Sequence, residues 1–464
     1  MPSRLPAVAA ITLAAIVVVS AQTGPREVDL VVTGGTVVTV DTAGRIIQTG
    51  AVAIDGTDIA AVDTAEAIAK QFHGRETIDA SGQIILPGLV NTHTHAPMVL
   101  YRGLADDLPL MEWLNSYIFP AESKTVSPEF VRAGTRLAAL EMIESGTTTF
   151  ADMYYFEEEI ARETRRIGLR GVLGQTIIQF PVADAKTPKD GLTRTESFIK
   201  EFANDELIVP AVAPHSMYTL DSGTLKAARA LADRAHVPVL IHLSETADEI
   251  KTSTEAHKAS PTAYLESLGF WGPRTIAAHG VWLSPADMTI LSRHHVAVSH
   301  NPESNMKLAS GAAKVSDMQR TGLVVALGTD GAASNNDLDM FEAMRQAAFL
   351  AKLQTSDPRA VPARKALEMA TIDGARALGM ESLIGSLEAG KRADVITVSM
   401  TAARQTPMYD PLSHLVYVTR GDDVNTTVVN GRILMRDRKV MTLDKTRVLS
   451  DARALAEKVK AAVR

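Results

Sequence analysis

Between about residues 84 and 330 the chain alternates short, β-branched apolar runs with polar segments of helical length. The runs are IILPGLVNTHTH from Ile84, TTTFADMY from Thr147, LRGVLGQTI from Leu169, LIVPAVAPH from Leu207, VPVLIHLSE from Val237, TIAAHG from Thr275, VAVSHNP from Val296 and LVVALGTDG from Leu323. Runs this short and this uniformly apolar read as strands buried on both faces, and strands separated by helices read as a parallel sheet. Eight units over roughly 300 residues predict an α/β fold, a (β/α)8 barrel spanning 86–390, whose chemistry sits at the strands' C-terminal ends.

The flanks have another texture. DLVVTGGTVVTVD, AVAIDGTDIAAVD and TIDASGQIILPG within 22–85, and ADVITVSM and NTTVVNGRILMRDRKV within 391–445, are strand-length runs broken by Gly, Asp and Asn turns, with Asn430-Gly431 marking a tight hairpin. They predict one small β-sandwich assembled from both ends of the chain. Residues 446–464 read as a surface helix, rich in Ala and Lys with a narrow apolar stripe.

Residues 1–21 have the form of an export signal. Arg4 gives a positive start, Ala7 to Val19 an apolar core, and Val19-Ser20-Ala21 a small-residue cleavage site before Gln22. The core is too short to span a bilayer comfortably, so no stable membrane anchor is expected after cleavage and the mature protein is expected in the periplasm or the medium. An uncleaved anchor or a misassigned start is the alternative.

Composition narrows the chemistry. The 464 residues are 46% apolar and 22% charged with a formal net charge of -7. That is ordinary globular material with no basic stripe for a phosphate backbone, so a small-molecule substrate is expected and nucleic acid is not. There is no cysteine, which removes disulfides, thiolate metal sites and the cysteine-ligated zinc base deaminases. Any metal must be held by His, Asp or Glu.

Such residues recur where the eight runs end: His93 and His95, then His215, His242 with Glu245, His279, His300, and Asp330. Residues i and i+2 of a strand share a face, so the HxH pair can converge on one divalent ion. Each histidine alone is more often a packed core or surface residue. Their coincidence at one end of consecutive strands is what points to a site. Three imidazoles and one carboxylate with an open position suit Zn²⁺ or Fe²⁺, which lowers the pKa of water toward 7. Glu245 reads either as a proton carrier or as an acidic residue at a helix N-terminus. His300-Asn301-Pro302 with Ser304 and Asn305 reads either as a polar turn or as part of the site.

PGLVNTHTHAPMVLYRG, DLPLMEWL, HLSE, AAHG, SHNPESNMKL and LGTDGAASNNDLDMFEAMR resemble the amidohydrolase superfamily. Within it the chain is similar to the aminohydrolases of 5'-methylthioadenosine and S-adenosylhomocysteine and to their relatives the s-triazine chlorohydrolases. The resemblance covers about residues 28 to 440. It implies His93, His95, His242 and Asp330 as ligands of one divalent metal, most simply Zn²⁺, with His279, Glu245 and Asp330 moving protons. It also implies Trp113 lining the pocket, with Glu122 and His215 meeting ribose hydroxyls. His215 stands where binuclear relatives carry a bridging lysine, so one ion is expected.

Gln175 stands where relatives that act on the homocysteine-bearing nucleoside carry a carboxylate-binding arginine, with Lys186, Lys189 and Arg194 only loosely nearby. The resulting expectation is hydrolytic deamination of an exocyclic amine on a purine-like N-heterocycle or nucleoside. Loss of chloride or an alkylamine from a triazine is the nearest alternative, and an exported, non-catalytic binding protein a more distant one. A homo-oligomer is left open.

Export carries its own test. Mass spectrometry of protein recovered from the periplasm or medium is expected to find Gln22 as the first residue, and an intact Met1 on soluble cytoplasmic protein would remove the export reading.

Overall fold

A computed structural model describes residues 24–463, so the proposed export segment lies outside the described residues. All eight expected barrel strands are present, in chain order around one sheet: Leu89–Thr94, Thr147–Tyr154, Arg170–Ile177, Ile208–Pro214, Val239–Leu243, Thr275–His279, Ala297–His300 and Val325–Leu327. Every neighbouring pair is parallel. Strands such as Thr147–Tyr154 and Arg170–Ile177 are buried along their whole length, which is why their sequences show no polar alternation.

The first and eighth strands are joined largely by side chains. Thr92 Oγ1 donates to Leu327 O at 2.8 Å, Asn91 Nδ2 to Thr329 Oγ1 at 2.7 Å, and the Asp330 amide to His93 O at 2.9 Å. The (β/α)8 barrel therefore closes at the place where its first histidine pair and its last aspartate meet.

The β domain does draw on both ends of the chain. A four-stranded sheet comes from Arg26–Thr33, Gly50–Asp55, Asp58–Thr64 and Phe72–Asp79. In the seven-stranded sheet facing it, Val395–Ser399 pairs antiparallel with Gln83–Pro87, Val395 opposite Pro87. Leu30, Val32 and Ile54 of the first sheet share a core with Ile85, Val395 and Val428 of the second, which is a sandwich. Asn430 and Gly431 both have positive φ, 52° and 75°, as a two-residue hairpin turn requires. A Cβ on Gly431 would come within 2.0 Å of Gly56 O, so glycine there serves the packing as well as the turn.

Two features were not legible as strands. Ala65–Gln71 is a helix capped by Thr64, with Ile68 its buried residue; its Ala, Glu and Lys favour a helix within a run that otherwise reads as β. After His95 the chain forms a 3-10 helix, Ala96–Tyr101, and past an irregular stretch at 102–109 runs on through Leu110–Trp113, a π-helical turn Leu114–Ile118, and Phe119–Thr125. The C-terminal helix, Lys445–Val463, buries Val448, Ala452, Leu455 and Val459. That spacing of four, three and four is the expected single stripe.

The two parts are tied by a buried ion pair. Arg170, at the start of the third barrel strand, reaches Asp394 at 3.3 Å with both side chains 3% exposed, and Asp394 also accepts the Asn430 amide at 2.7 Å. Asp394→Ala leaves the buried guanidinium without a counter-charge, with the Glu206 carbonyl as its nearest remaining acceptor at 3.1 Å, so a loss of about 3–5 kcal/mol is expected from the shift in denaturant midpoint. A loss under about 1 kcal/mol would show that the junction does not depend on this pair.

Candidate metal centre

The strand ends bring the expected residues together. His93 and His95, two apart on the first strand, point the same way. His93 Nε2 lies 3.4 Å and His95 Nε2 3.3 Å from Asp330 Oδ1, and His242 Nε2 lies 3.3 Å from His95 Nε2. Donors about 2.0–2.1 Å from one tetrahedral ion are separated by about 3.3 Å, so these spacings fit a single ion. His93 Nε2 is buried and finds no hydrogen-bond partner within the protein. A buried polar atom left in that state needs a ligand to complete it.

The outer nitrogens fix how the rings face. His95 Nδ1 donates to Met153 O at 2.6 Å and His242 Nδ1 to His215 O at 2.8 Å, which leaves each Nε2 unprotonated and turned to the centre. Asp330 Oδ2 accepts from Ser304 Oγ at 2.7 Å and Ser334 Oγ at 2.9 Å, so Oδ1 is the oxygen that faces the imidazoles.

Electrostatics favour the same set. Burial lowers His93 to about 4 and His215 to about 3, and it holds His242 well below the usual histidine value. All three are neutral near pH 7, the state in which imidazole ligates. Burial pushes the Asp330 carboxyl up, but the close approach of His93, and after it of His279 and His95, outweighs that and holds the group well below its ordinary value. Two of the converging nitrogens, those of His93 and His242, are therefore neutral beside a carboxylate.

Beside it, His279 Nδ1 donates to Asn305 Oδ1 at 2.9 Å and turns Nε2 toward Glu245 Oε2, 3.8 Å away. Burial depresses His279, yet Glu245 and Asp330 together raise it above the ordinary value, while burial raises Glu245 against the pull of His279. The pair can exchange a proton at little cost. Glu245 is not the helix N-terminal residue of the alternative reading. It precedes the cap Thr246 of the helix Ala247–His257, and Glu249 accepts the amides of Ser244 and Glu245 at 2.9 and 2.8 Å. Ser244, His279 and Asp330 all have positive φ, at 51°, 74° and 64°. Such non-glycine strain is held in place by the surrounding structure and collects at functional sites.

The cavity over this centre is lined by His95, His242, Glu245, His279 and Asp330 below, and by Trp113, Glu122 and His215 at the sides. Trp113 and Glu122 are delivered by the helical segment after the first strand. Tyr154 donates its hydroxyl to Glu122 Oε1 at 2.7 Å, and burial raises Glu122 to about 7.

Several readings need adjustment. Ser299 bonds to Thr92 and Asn301 reaches His279, so strand alternation puts His300 on the opposite face, away from the cavity it was grouped with. Ser304 and Asn305 of the same motif do serve the site. Gln175 is buried and bonded to Asp184, and Arg194 pairs with Glu158 and Asp184; neither lines the cavity. Tyr154, Ser334 and Glu249 were missed, because a hydroxyl or carboxylate that steadies another residue leaves no spacing signature.

Residues 84–434 match the amidohydrolase family. A 5-methylthioadenosine/S-adenosylhomocysteine deaminase of Syntrophobacter fumaroxidans is 46% identical over 94% of this chain and 100% of its own length. A 5'-deoxyadenosine deaminase of Methanococcoides burtonii is 43% identical over 92% and 97%. The crystal structure of an adenosine deaminase from Xanthomonas campestris with bound zinc superposes with a TM-score of 0.93 at 38% identity, covering 94% of this chain and 100% of that one.

The depressed histidines predict how the metal-free protein responds to acid. Unfolded, a histidine binds its proton near 6.5, whereas folded His93 and His215 refuse it down to about 4 and 3. Their contribution to stability is complete above 6.5 and is lost as pH falls toward those values. The thermal midpoint of chelated protein is expected to drop steadily below pH 6.5, and at pH 7 to rise above the chelated value when Zn²⁺ is added. A midpoint flat from pH 6.5 to 4 would contradict the buried, neutral assignment.

Proposed function

The chain belongs to the amidohydrolase family, and from that premise we propose that it deaminates the exocyclic amine of an adenine-type nucleoside, adding water and releasing ammonia. The observation that carries this reading is one cavity holding a ligand set, a Glu245 and His279 proton pair, and a separate polar wall of Glu122 and His215. The relatives named for methylthioadenosine and 5'-deoxyadenosine deamination support the substrate type.

We assign His93, His95, His242 and Asp330 as holding one divalent ion, with zinc supported by the Xanthomonas structure. When bound, the ion supplies a Lewis acid that activates water near neutral pH. The remaining work falls to the chain. Trp113 and the neighbouring apolar wall exclude bulk water and hold the ring with its amino-bearing carbon toward the ligand cluster. Burial makes Glu245 a ready proton carrier, placed to protonate the ring nitrogen next to that carbon as the oxygen adds. His279, oriented through Asn305, takes the proton released by the attacking water together with Asp330 and delivers it to the departing amine. Ammonia leaves, the proton remaining on the added oxygen returns to Glu245, and the ring keeps the oxygen as a carbonyl. Glu122 and His215 stand where a sugar's hydroxyls would be met. Export after cleavage following Ala21 is part of the same proposal, as is the barrel at 86–390 serving as the hydrolase domain.

An ammonia-release assay of purified protein against adenosine derivatives, pterins and triazines tests the reaction. Ammonia from adenosine derivatives is expected; turnover confined to triazines would replace the deaminase reading with the chlorohydrolase one. Glu245→Gln keeps the shape but loses the proton carrier, so kcat is expected to fall about 10² to 10⁴-fold with KM changed much less and metal content retained. His242→Ala is expected to lose metal and activity together. A Glu245→Gln variant with full metal and near-parent turnover would rule out the proton-carrier role.

A further inference from the structure

The helix that supplies Ser304 and Asn305 to the site, Pro302–Lys307, ends in a lysine that the chemistry above does not use. The Lys307 ammonium donates to Asp106 Oδ1 at 2.5 Å, to Asn336 Oδ1 at 2.7 Å and to Ala333 O at 3.4 Å. Three N–H donors thus meet three acceptors, with the side chain 19% exposed. The acceptors belong to two separate loops. Asp106 lies in the irregular stretch 102–109, which leads into the segment carrying Trp113 and Glu122, whereas Ala333 and Asn336 flank Ser334 in the turn after the eighth strand.

None of residues 102–109 is fully buried, so polar ties carry much of the work of placing them. At the start of the stretch Arg102 pairs with Glu141, whose other oxygen accepts the Leu338 amide at 3.0 Å. Further along, Lys307 joins Asp106 to Asn336. Both ties run to the loop that follows Asp330.

We propose that Lys307 is a positioning residue, whose bridge from Asp106 to Asn336 holds Trp113 and Glu122 over the strand-end cluster while substrate binds. This role rests on the nucleoside reading above, in which those two side chains meet the ring and the sugar. A partly exposed ion pair adds little to global stability. Its loss instead frees the segment 110–125 to take positions in which the cavity wall no longer fits the nucleoside. The deficit then falls on binding, away from the Glu245 and His279 proton pair.

A double-mutant cycle of Lys307→Met and Asp106→Ala in the zinc-loaded full chain tests this. Neither residue lines the cavity, and Asp106, 38% exposed on its loop, can be replaced without touching the helix that holds Ser304 and Asn305. Each single variant is expected to keep its zinc and nearly the parent thermal midpoint. KM for 5'-deoxyadenosine is expected to rise about 10-fold with kcat changed much less, and amide hydrogen exchange to quicken in 110–125 but not in the barrel strands. The double variant is expected to be no worse than Lys307→Met, since both changes remove one bridge. Parent-like KM and exchange in Asp106→Ala overturn the role, as do defects that multiply in the double variant or zinc lost from Asp106→Ala. If the parent releases no ammonia from the nucleoside, the deaminase reading falls and exchange in 110–125 decides the bridge by itself.

Discussion

Everything at the top of this barrel depends on the concentration of basic and acidic groups where the first and eighth strands close. Asp330 lies 3.4 and 3.3 Å from His93 and His95, and His242 lies 3.3 Å from His95, in surroundings that keep His93 and His242 from holding a proton. Neutral nitrogens packed this tightly have little attraction for each other, and Asp330 alone cannot bond to all of them. A cation is what makes the arrangement favourable, and the barrel supplies the rigidity to hold it ready. The same closure accounts for the backbone strain, since Asp330 can accept its left-handed conformation while its amide is bonded to His93 O at 2.9 Å.

In the proposed roles, proton movement is separated from metal holding by hydrogen bonds rather than by distance. Ser304 and Ser334 hold one Asp330 oxygen, Asn305 holds His279, and Glu249 holds the turn that carries Glu245. These supports leave Asp330 Oδ1, which also accepts the Gly331 amide at 2.7 Å, facing His93 and His95, and His279 Nε2 facing Glu245. Precision of this kind comes from supports built on short turns after strands, which is where a barrel tolerates irregular backbone.

The barrel, the two-ended sandwich and the clustering of the strand-end residues were legible because each rests on a repeating physical signal. Buried parallel strands give uninterrupted apolar runs, and a ligand at a strand's end has a fixed place relative to its run. The helix Ala65–Gln71 escaped because a seven-residue segment among strands offers too few turns to show periodicity. His300 was grouped with the site because it ends a strand as the others do. Which face it takes depends on the pairing of Ser299 with Thr92 across the closing seam, a contact between positions 207 residues apart. Tyr154 and Ser334 were invisible for a related reason: their partners are set by three-dimensional closure and by no spacing along the chain.

The division of the cavity into a polar floor and an apolar mouth follows from what each part must do. Proton transfer needs low dielectric and fixed donors, and the floor obtains both by burying Glu245 and His279 at 5% and 1% exposure. The mouth is carried by Leu110–Trp113, the π-helical turn and Phe119–Thr125, which follow the first ligand strand and deliver Trp113 and Glu122 inward. From the same segment Met111 faces outward. One stretch of about 16 residues thus supplies the inner walls and the outer ones, so its outward side chains can change while the strand-end cluster of His93, His95, His242 and Asp330, built on other elements, stays as it is.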